Sequence, residues 1–210
     1  MLYIDKIKKI QNEINQISVN TNLVIVTKNQ DLNIINNLVK EGYSHFGENR
    51  IQDTFKKWGN ISSLRANINL HLIGPIQSNK AKDAHKIFNY IHSLENNKVA
   101  KIFSDLEAKG HRKVKYFIQV NVGDESQKSG IKFEHAPDFI NFCIHELKLN
   151  ILGLMCIPPA HSDPEEFFIK LRKLNQLHGL RELSMGMSSD YHLALKNGST
   201  YLRIGTAIFN

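Results

Sequence analysis

The sequence predicts an α/β protein, a single (β/α)8 barrel of TIM type with one extra helix at its N-terminus. Three observations carry this expectation. Short apolar runs alternate with longer amphipathic segments from end to end, the pattern of parallel strands joined by right-handed helical crossovers. Eight such runs occur, which suits a closed barrel better than an open doubly wound sheet. No Pro/Gly/Ser-rich linker or low-complexity stretch interrupts the chain, so residues 1–210 read as one domain.

The extra helix is read from Leu2, Ile4, Ile7, Ile10 and Ile14, which fall on one stripe between lysines and a glutamate. The expected strands are Leu23–Thr27, Tyr43–Phe46, Leu70–Ile73, Tyr90–Leu94, Tyr116–Asn121, Ile151–Met155, Glu182–Met187 and Tyr201–Ile204. Helical spacing covers Asp31–Glu41, Ile51–Trp58, Lys98–Lys109, Ala136–Leu147, Pro164–His178 and Asp190–Asn197. Gly42, Gly110 and Gly198 stand just past periodic segments, where helices close with a left-handed residue.

Composition removes several functional classes. The two cysteines have neither metal nor disulfide-framework spacing, and the N-terminal segment lacks the apolar core of a secretory signal. No run is long enough to span a bilayer. The expectation is a cytoplasmic protein with no membrane partner. The net charge of +7 raises a nucleic-acid partner, but the lysines are scattered and no binding motif accompanies them, so none is expected. There is no metal-ligand spacing, P-loop or carboxylate pair, and no metal or catalytic residue is assigned.

Chemistry in such a barrel collects at the C-terminal strand ends. Strand alternation puts Val24, Val26 and Lys28 on one face and Leu23, Ile25 and Thr27 on the other. Lys28 thus continues an inward apolar row to the mouth. A partly desolvated amine there has a lowered pKa and can attack an aldehyde; equally, a lysine at a strand end can simply reach water with its stem over apolar surface. The last strand bears on the choice. Arg203 shares a face with Tyr201, and an inward arginine needs an anion or an acceptor. Gly205-Thr206-Ala207 offers backbone N–H groups beside it, and Ser188 and Ser189 open the preceding helix. Taken singly, the serines could be plain N-caps and the glycine a tight turn. Asn49 either donates to a ligand oxygen or caps the next helix. Lys128 belongs to a basic flap or to a solvated loop, and His92 is a satisfied core residue on its own showing.

The segments VTK at 26–28, FGEN at 46–49, HLIGPIQSNK at 71–80, QVNVGDESQKSGI at 119–131, GLMCIPP at 153–159, LSMGMSSD at 183–190 and GSTYLRIGTAIF at 198–209 run in order through nearly the whole chain. Together they resemble the pyridoxal phosphate homeostasis protein family, whose fold is like the barrel domain of alanine racemase. The resemblance implies that pyridoxal 5′-phosphate (PLP) is held as a Schiff base on Lys28. It places Ser188, Gly205 and Thr206 at the phosphate, Arg203 by the pyridine nitrogen, and Asn49, Met185 and Ile73 along the cofactor. Lys128 matches a basic position of a flexible loop. The implied role is PLP homeostasis and delivery by a monomer, with PLP-dependent apo-enzymes as recipients and no turnover. The competing reading is a racemase-like enzyme on small amino acids, with Tyr191, His192 or His92 as its base. The chain departs from the family pattern at Gln30, where many members carry a second lysine, and at Arg50, where an aromatic is frequent. It also stops at Asn210, close behind the last strand, so that any closing helix is expected to be very short or absent.

Overall fold

The computed structural model describes residues 2–59 and 67–210. Eight parallel strands close into a barrel: β1 (Asn22–Val26), β2 (His45–Glu48), β3 (Asn69–Leu72), β4 (Tyr90–Leu94), β5 (Lys115–Asn121), β7 (Ile151–Met155), β8 (Glu182–Ser184) and β9 (Tyr201–Ile204). Sequential neighbours pair, β5 pairs with β7, and β9 pairs with β1 to complete the ring. The two-residue strand β6 (Ile131–Lys132) adds to the far end of β5 and lies outside the ring order. This is the expected barrel, extra helix included.

Outer helices fill the crossovers: α2 (Leu32–Lys40), α3 (Ile51–Trp58), α4 (Ala81–Ile87), α5 (Asn97–Ala108), α6 (Ala136–Asn141), α7 (Pro164–Leu177) and α8 (Tyr191–Lys196). Asp31 caps α2 by accepting from the N–H groups of Asn33 and Ile34, and Asn96 and Asp163 do the same for α5 and α7. α1 (Leu2–Ile17) lays Ile4, Ile7, Ile10 and Ile14 into the core, while Leu2 falls outside the buried stripe. The closing helix α9 (Thr206–Phe209) is a single turn packed near α1. Gly42, Gly110 and Gly198 have the positive φ expected of helix-closing residues.

Three elements differ from their sequence patterns. β2 begins at His45, because Gly42 and Tyr43 still donate to the carbonyls of α2. β8 ends at Ser184, and Gly186 turns the chain at φ +94°, where a Cβ would lie 2.5 Å from that of Ala194. The segment after α6 widens into a π-helical turn over Phe142–Glu146, with Leu147 N–H donating to Phe142 O at 3.0 Å.

Alternation divides the core in two. Val24, Tyr90, Phe117, Met155 and Tyr201 fill the barrel interior, with Leu152 beside them. Leu23, Ile25, Leu202, Ile204 and the other outward residues join the larger core under the helices. Each strand therefore buries both faces, as parallel barrel strands must.

Candidate functional site

The C-terminal strand ends surround a cavity of about 440 Å³ lined by Val26, Lys28, Asn49, Ile73, Ile157, Met187, Ser188, Ser189, Arg203, Gly205 and Thr206. A pocket of this size suits a small cofactor. Seven of the eight expected binding residues thus meet in one place: Lys28 from β1, Asn49 from β2, Ile73 from β3, Ser188 after β8, and Arg203, Gly205 and Thr206 from β9 and its exit.

Met185 is the exception. It is fully buried in the core under the helices. Ser184 points inward, so Met185 points outward; the turn at Gly186 then swings Met187 to the mouth in its stead. Met187 and Ile157 are the apolar wall that sequence reasoning missed. Extending β8 to residue 187 concealed the first, and the second lies just past the strand end.

Lys28 is exposed and borders both the mouth cavity and a second cleft shared with Asn29, Glu48, Asn49, Arg50, Asp53 and Lys57. It is not the buried end of an inward row, because it lies beyond the last strand pair, at the rim. What the structure gives it is a fixed base. Thr27 is fully buried, its hydroxyl donating to Glu48 Oε1 at 2.7 Å. The same oxygen accepts from Lys57 Nζ at 3.0 Å and Trp58 Nε1 at 3.1 Å, and Lys57 Nζ also donates to Thr27 O at 2.8 Å. Asn29 follows at φ 64°, a left-handed conformation that asparagine tolerates.

Asn49 is not a helix cap. Arg50 takes the N-cap position of α3 without a side-chain bond, and Asn49 is left facing the cavity. Ser188 is not a cap either: its Oγ accepts from Ala207 N–H at 3.1 Å, tying the β8 exit to the start of α9. Asp190, at the head of α8, instead accepts from Met187 N–H at 2.6 Å. α9 starts at Thr206, and first-turn N–H groups have no partner within a helix.

Arg203 is 4% exposed. Its Nη1 donates to Ser184 Oγ at 2.6 Å and its Nη2 to Cys156 O at 2.9 Å. Burial pulls its pKa down, opposed by Cys156 and Asp190. Burial also pushes the Cys156 thiol up to about 12, so this cysteine is no nucleophile.

The expected bases for amino-acid chemistry lie elsewhere. Tyr191 donates to Glu13 on α1, and His192 Nε2 sits 3.6 Å from the same carboxylate. His92 is fully buried and bonded through both ring nitrogens. None of the three lines the mouth cavity. Lys128 is held by Glu125 at 2.7 Å and by the carbonyl of Pro158 at 3.3 Å, also outside the cavity lining. Among the described residues no cluster could hold a metal ion, and no helix is long and apolar enough to cross a membrane.

Comparison with known proteins bears on the fold and the family. The family described as alanine racemase, N-terminal domain, matches residues 4–210. A pyridoxal phosphate homeostasis protein of Pseudomonas aeruginosa is 34% identical over 192 residues, covering 89% of this chain and 83% of the relative. One from Aquifex aeolicus is also 34% identical, over 177 residues, covering 80% and 77%. The solved structure of PipY from Synechococcus elongatus with PLP bound superposes with a TM-score of 0.89 at 27% identity, covering 99% of this chain and all of that one. Alanine racemase of Corynebacterium glutamicum shares the fold, with a TM-score of 0.70 at 13% identity, and this chain spans 60% of its length. The chain belongs to the pyridoxal phosphate homeostasis protein family, a branch of the alanine racemase N-terminal domain family.

Proposed function

We propose that the protein binds PLP at the barrel mouth, holds it as a Schiff base on Lys28, and serves intracellular PLP homeostasis as a carrier. The observation that carries this reading is the convergence on one cavity of an exposed amine, a buried guanidinium and the donors of Ser188, Gly205 and Thr206. That donor set fits a phosphorylated aldehyde: an amine for the carbonyl, and hydroxyl and backbone N–H groups for the phosphate. Asn49 and Ile73 would flank the ring. The names of the relatives, and the PLP in the PipY structure, support the same reading.

PLP supplies an aldehyde and an electron-withdrawing ring, whose pull is strongest when a carboxylate keeps the ring nitrogen protonated. Arg203 offers a cation there instead. With Tyr191, His192 and His92 all engaged elsewhere, no second residue among the described residues is placed to exchange a substrate proton across from Lys28. This arrangement supports a carrier without turnover; in this reading it acts as a monomer and passes PLP to apo-enzymes.

The test is to load purified protein with PLP, reduce it with borohydride and map the modified peptide. A visible absorption band discharged by reduction, with the label on Lys28, is expected. A label on another lysine, or colourless protein, would overturn the proposal. Sustained turnover of alanine by the loaded protein, lost in Lys28→Ala, would overturn the carrier role.

A further inference from the structure

A row of polar side chains crosses the barrel interior without lining the mouth. His45 Nδ1 lies 2.9 Å from His71 Nε2, His71 Nδ1 lies 2.9 Å from His92 Nε2, and His92 Nδ1 lies 2.7 Å from Ser184 Oγ. Ser184 Oγ in turn receives Arg203 Nη1 at 2.6 Å. His71, His92 and Ser184 are completely buried. His45, at the N-terminal end of β2, is part-exposed and borders a cleft lined by Gln11, Asn22 and Tyr43. The row therefore runs from the barrel floor to the arginine at its mouth. Aromatic rings hold it in place: Tyr90 stacks on His71 at 4.3 Å between centroids, and Phe117 on His92 at 4.4 Å.

The donors allow a row with a single direction. A guanidinium can only donate, so Ser184 Oγ accepts from Arg203 and has one hydrogen left to give. Given to His92 Nδ1, 2.7 Å away, that hydrogen sets the rest of the row. His92 then carries its proton on Nε2 and donates to His71 Nδ1, and His71 likewise donates from Nε2 to His45 Nδ1. In this arrangement every hydrogen points away from Arg203 and every accepting lone pair toward it, and the Asn69 amide, 3.5 Å from His45 Nε2, turns its oxygen to that N–H. Burial, reinforced by the positive charge of Arg203, holds His92 well below the usual histidine range; burial and the neighbouring His92, His45 and Lys115 do the same for His71. The imidazoles are neutral, as the row requires. Arg203 needs such support, since its two bonded partners are a hydroxyl and a carbonyl.

We propose that Ser184, His92, His71 and His45 are positioning residues for Arg203, forming a one-way hydrogen-bond relay that aims the guanidinium at the ring of PLP and makes it sensitive to protonation at the barrel floor. The ligand in this statement rests on the PLP reading above; the polarity of the relay does not. When His45 takes a proton from solvent, its Nδ1 becomes a donor facing the His71 Nε2–H donor. The row re-forms only with the protons of His71 and His92 on Nδ1. Both stay neutral, and His45 keeps the added charge. Ser184 then faces two donors, His92 and Arg203, and its own hydrogen must turn away. The groups around His45 are His71 and Asn69 on β3, Tyr90 on β4, Lys115 on β5 and Tyr43 before β2; burial and Lys115 both oppose its protonation.

Long-range proton–nitrogen NMR on protein labelled with nitrogen-15 histidine, free of PLP, reads the tautomers directly. At about pH 8, well above the ordinary histidine pKa, all three rings should carry Nε2–H. On acidification, His71 and His92 should move to Nδ1–H in step with His45. A Nδ1–H tautomer at His92 at high pH would overturn the relay. In PLP-loaded protein the visible band should shift over the pH range in which His45 titrates, and His45→Leu should abolish that shift; a shift that survives the substitution also refutes the proposal. Ser184→Ala, nearly isosteric, should weaken PLP retention about tenfold by removing a charged hydrogen bond. His92→Gln, which accepts through Oε1 and donates through Nε2, should restore retention that His92→Leu loses, and equal retention in the two would count against it. Absence of PLP binding would overturn the reading of the mouth, not the relay, whose polarity is measured on ligand-free protein.

Discussion

The anchor beneath Lys28 can be tested by substituting Glu48, which is 2% exposed and accepts three hydrogen bonds on one oxygen, from Thr27, Lys57 and Trp58. Glu48→Ala strands a fully buried indole N–H and a fully buried threonine hydroxyl, and leaves Lys57 without its carboxylate. Removing one partner of a buried ion pair costs about 3–5 kcal/mol. The Lys57 side chain is 14% exposed and keeps its bond to Thr27 O, so the low end, about 3 kcal/mol, applies. With a urea slope of about 2 kcal/mol per molar, the unfolding midpoint should fall by about 1.5 M. Glu48→Gln keeps an acceptor oxygen and loses only the charge, the difference between a charged and a neutral hydrogen bond, about 1 kcal/mol or 0.5 M. Urea titration followed by Trp58 fluorescence measures both. PLP retention in buffer should fall in the order wild type, Gln, Ala, because Thr27 holds the backbone from which Lys28 extends. A drop below about 0.5 M for the alanine variant, or equal losses for both variants, would refute the claim that Glu48 is the keystone of this turn.

Three further outcomes are expected. In Gly74→Ala the new Cβ would lie 2.2 Å from the carbonyl oxygen of Asn49; a backbone clash of this kind should cost about 3 kcal/mol, lowering Tm by roughly 9 °C and displacing Asn49 from the mouth, as thermal melts and PLP titration would record. His71 and His92 are held neutral, with pKa values well below 6.5. The unfolded chain therefore binds more protons as pH falls through 6.5, and stability should decline at about 1.4 kcal/mol per pH unit for each, starting near that value; between pH 8 and pH 5 the slope of stability from urea titrations should be smaller in His92→Gln by about that one contribution. Burial pushes both thiols, Cys143 and Cys156, up to about 12, so Ellman's reagent should label neither in the native protein and both after unfolding.

The barrel and most of the mouth were legible in the sequence because both follow from alternation, a local property. Val24 and Lys28 pointing inward, and Tyr201 sharing its face with Arg203, could be read from parity alone. Where one residue broke parity, the reading failed: Gly186 at positive φ moved the lining role from Met185 to Met187. The exposure of Lys28 was hidden because parity gives direction and not depth. The histidine row was illegible for another reason. Its members lie on β2, β3, β4, β8 and β9, and His92 meets Ser184 across 92 residues of sequence, a contact that only closure of the barrel creates. A hint was available, since three strands in succession carry an inward histidine.

The π turn at Phe142–Glu146 holds one residue more than an α-helix of the same rise requires. Shortening the chain by one there would tighten a loop of backbone and leave the ladder above and below intact. The same deletion inside β7 would invert every side chain beyond it. This stretch of outer helix contributes no residue to the mouth, so it is a place where lineages can gain or lose length while the working end of the barrel stays as it is.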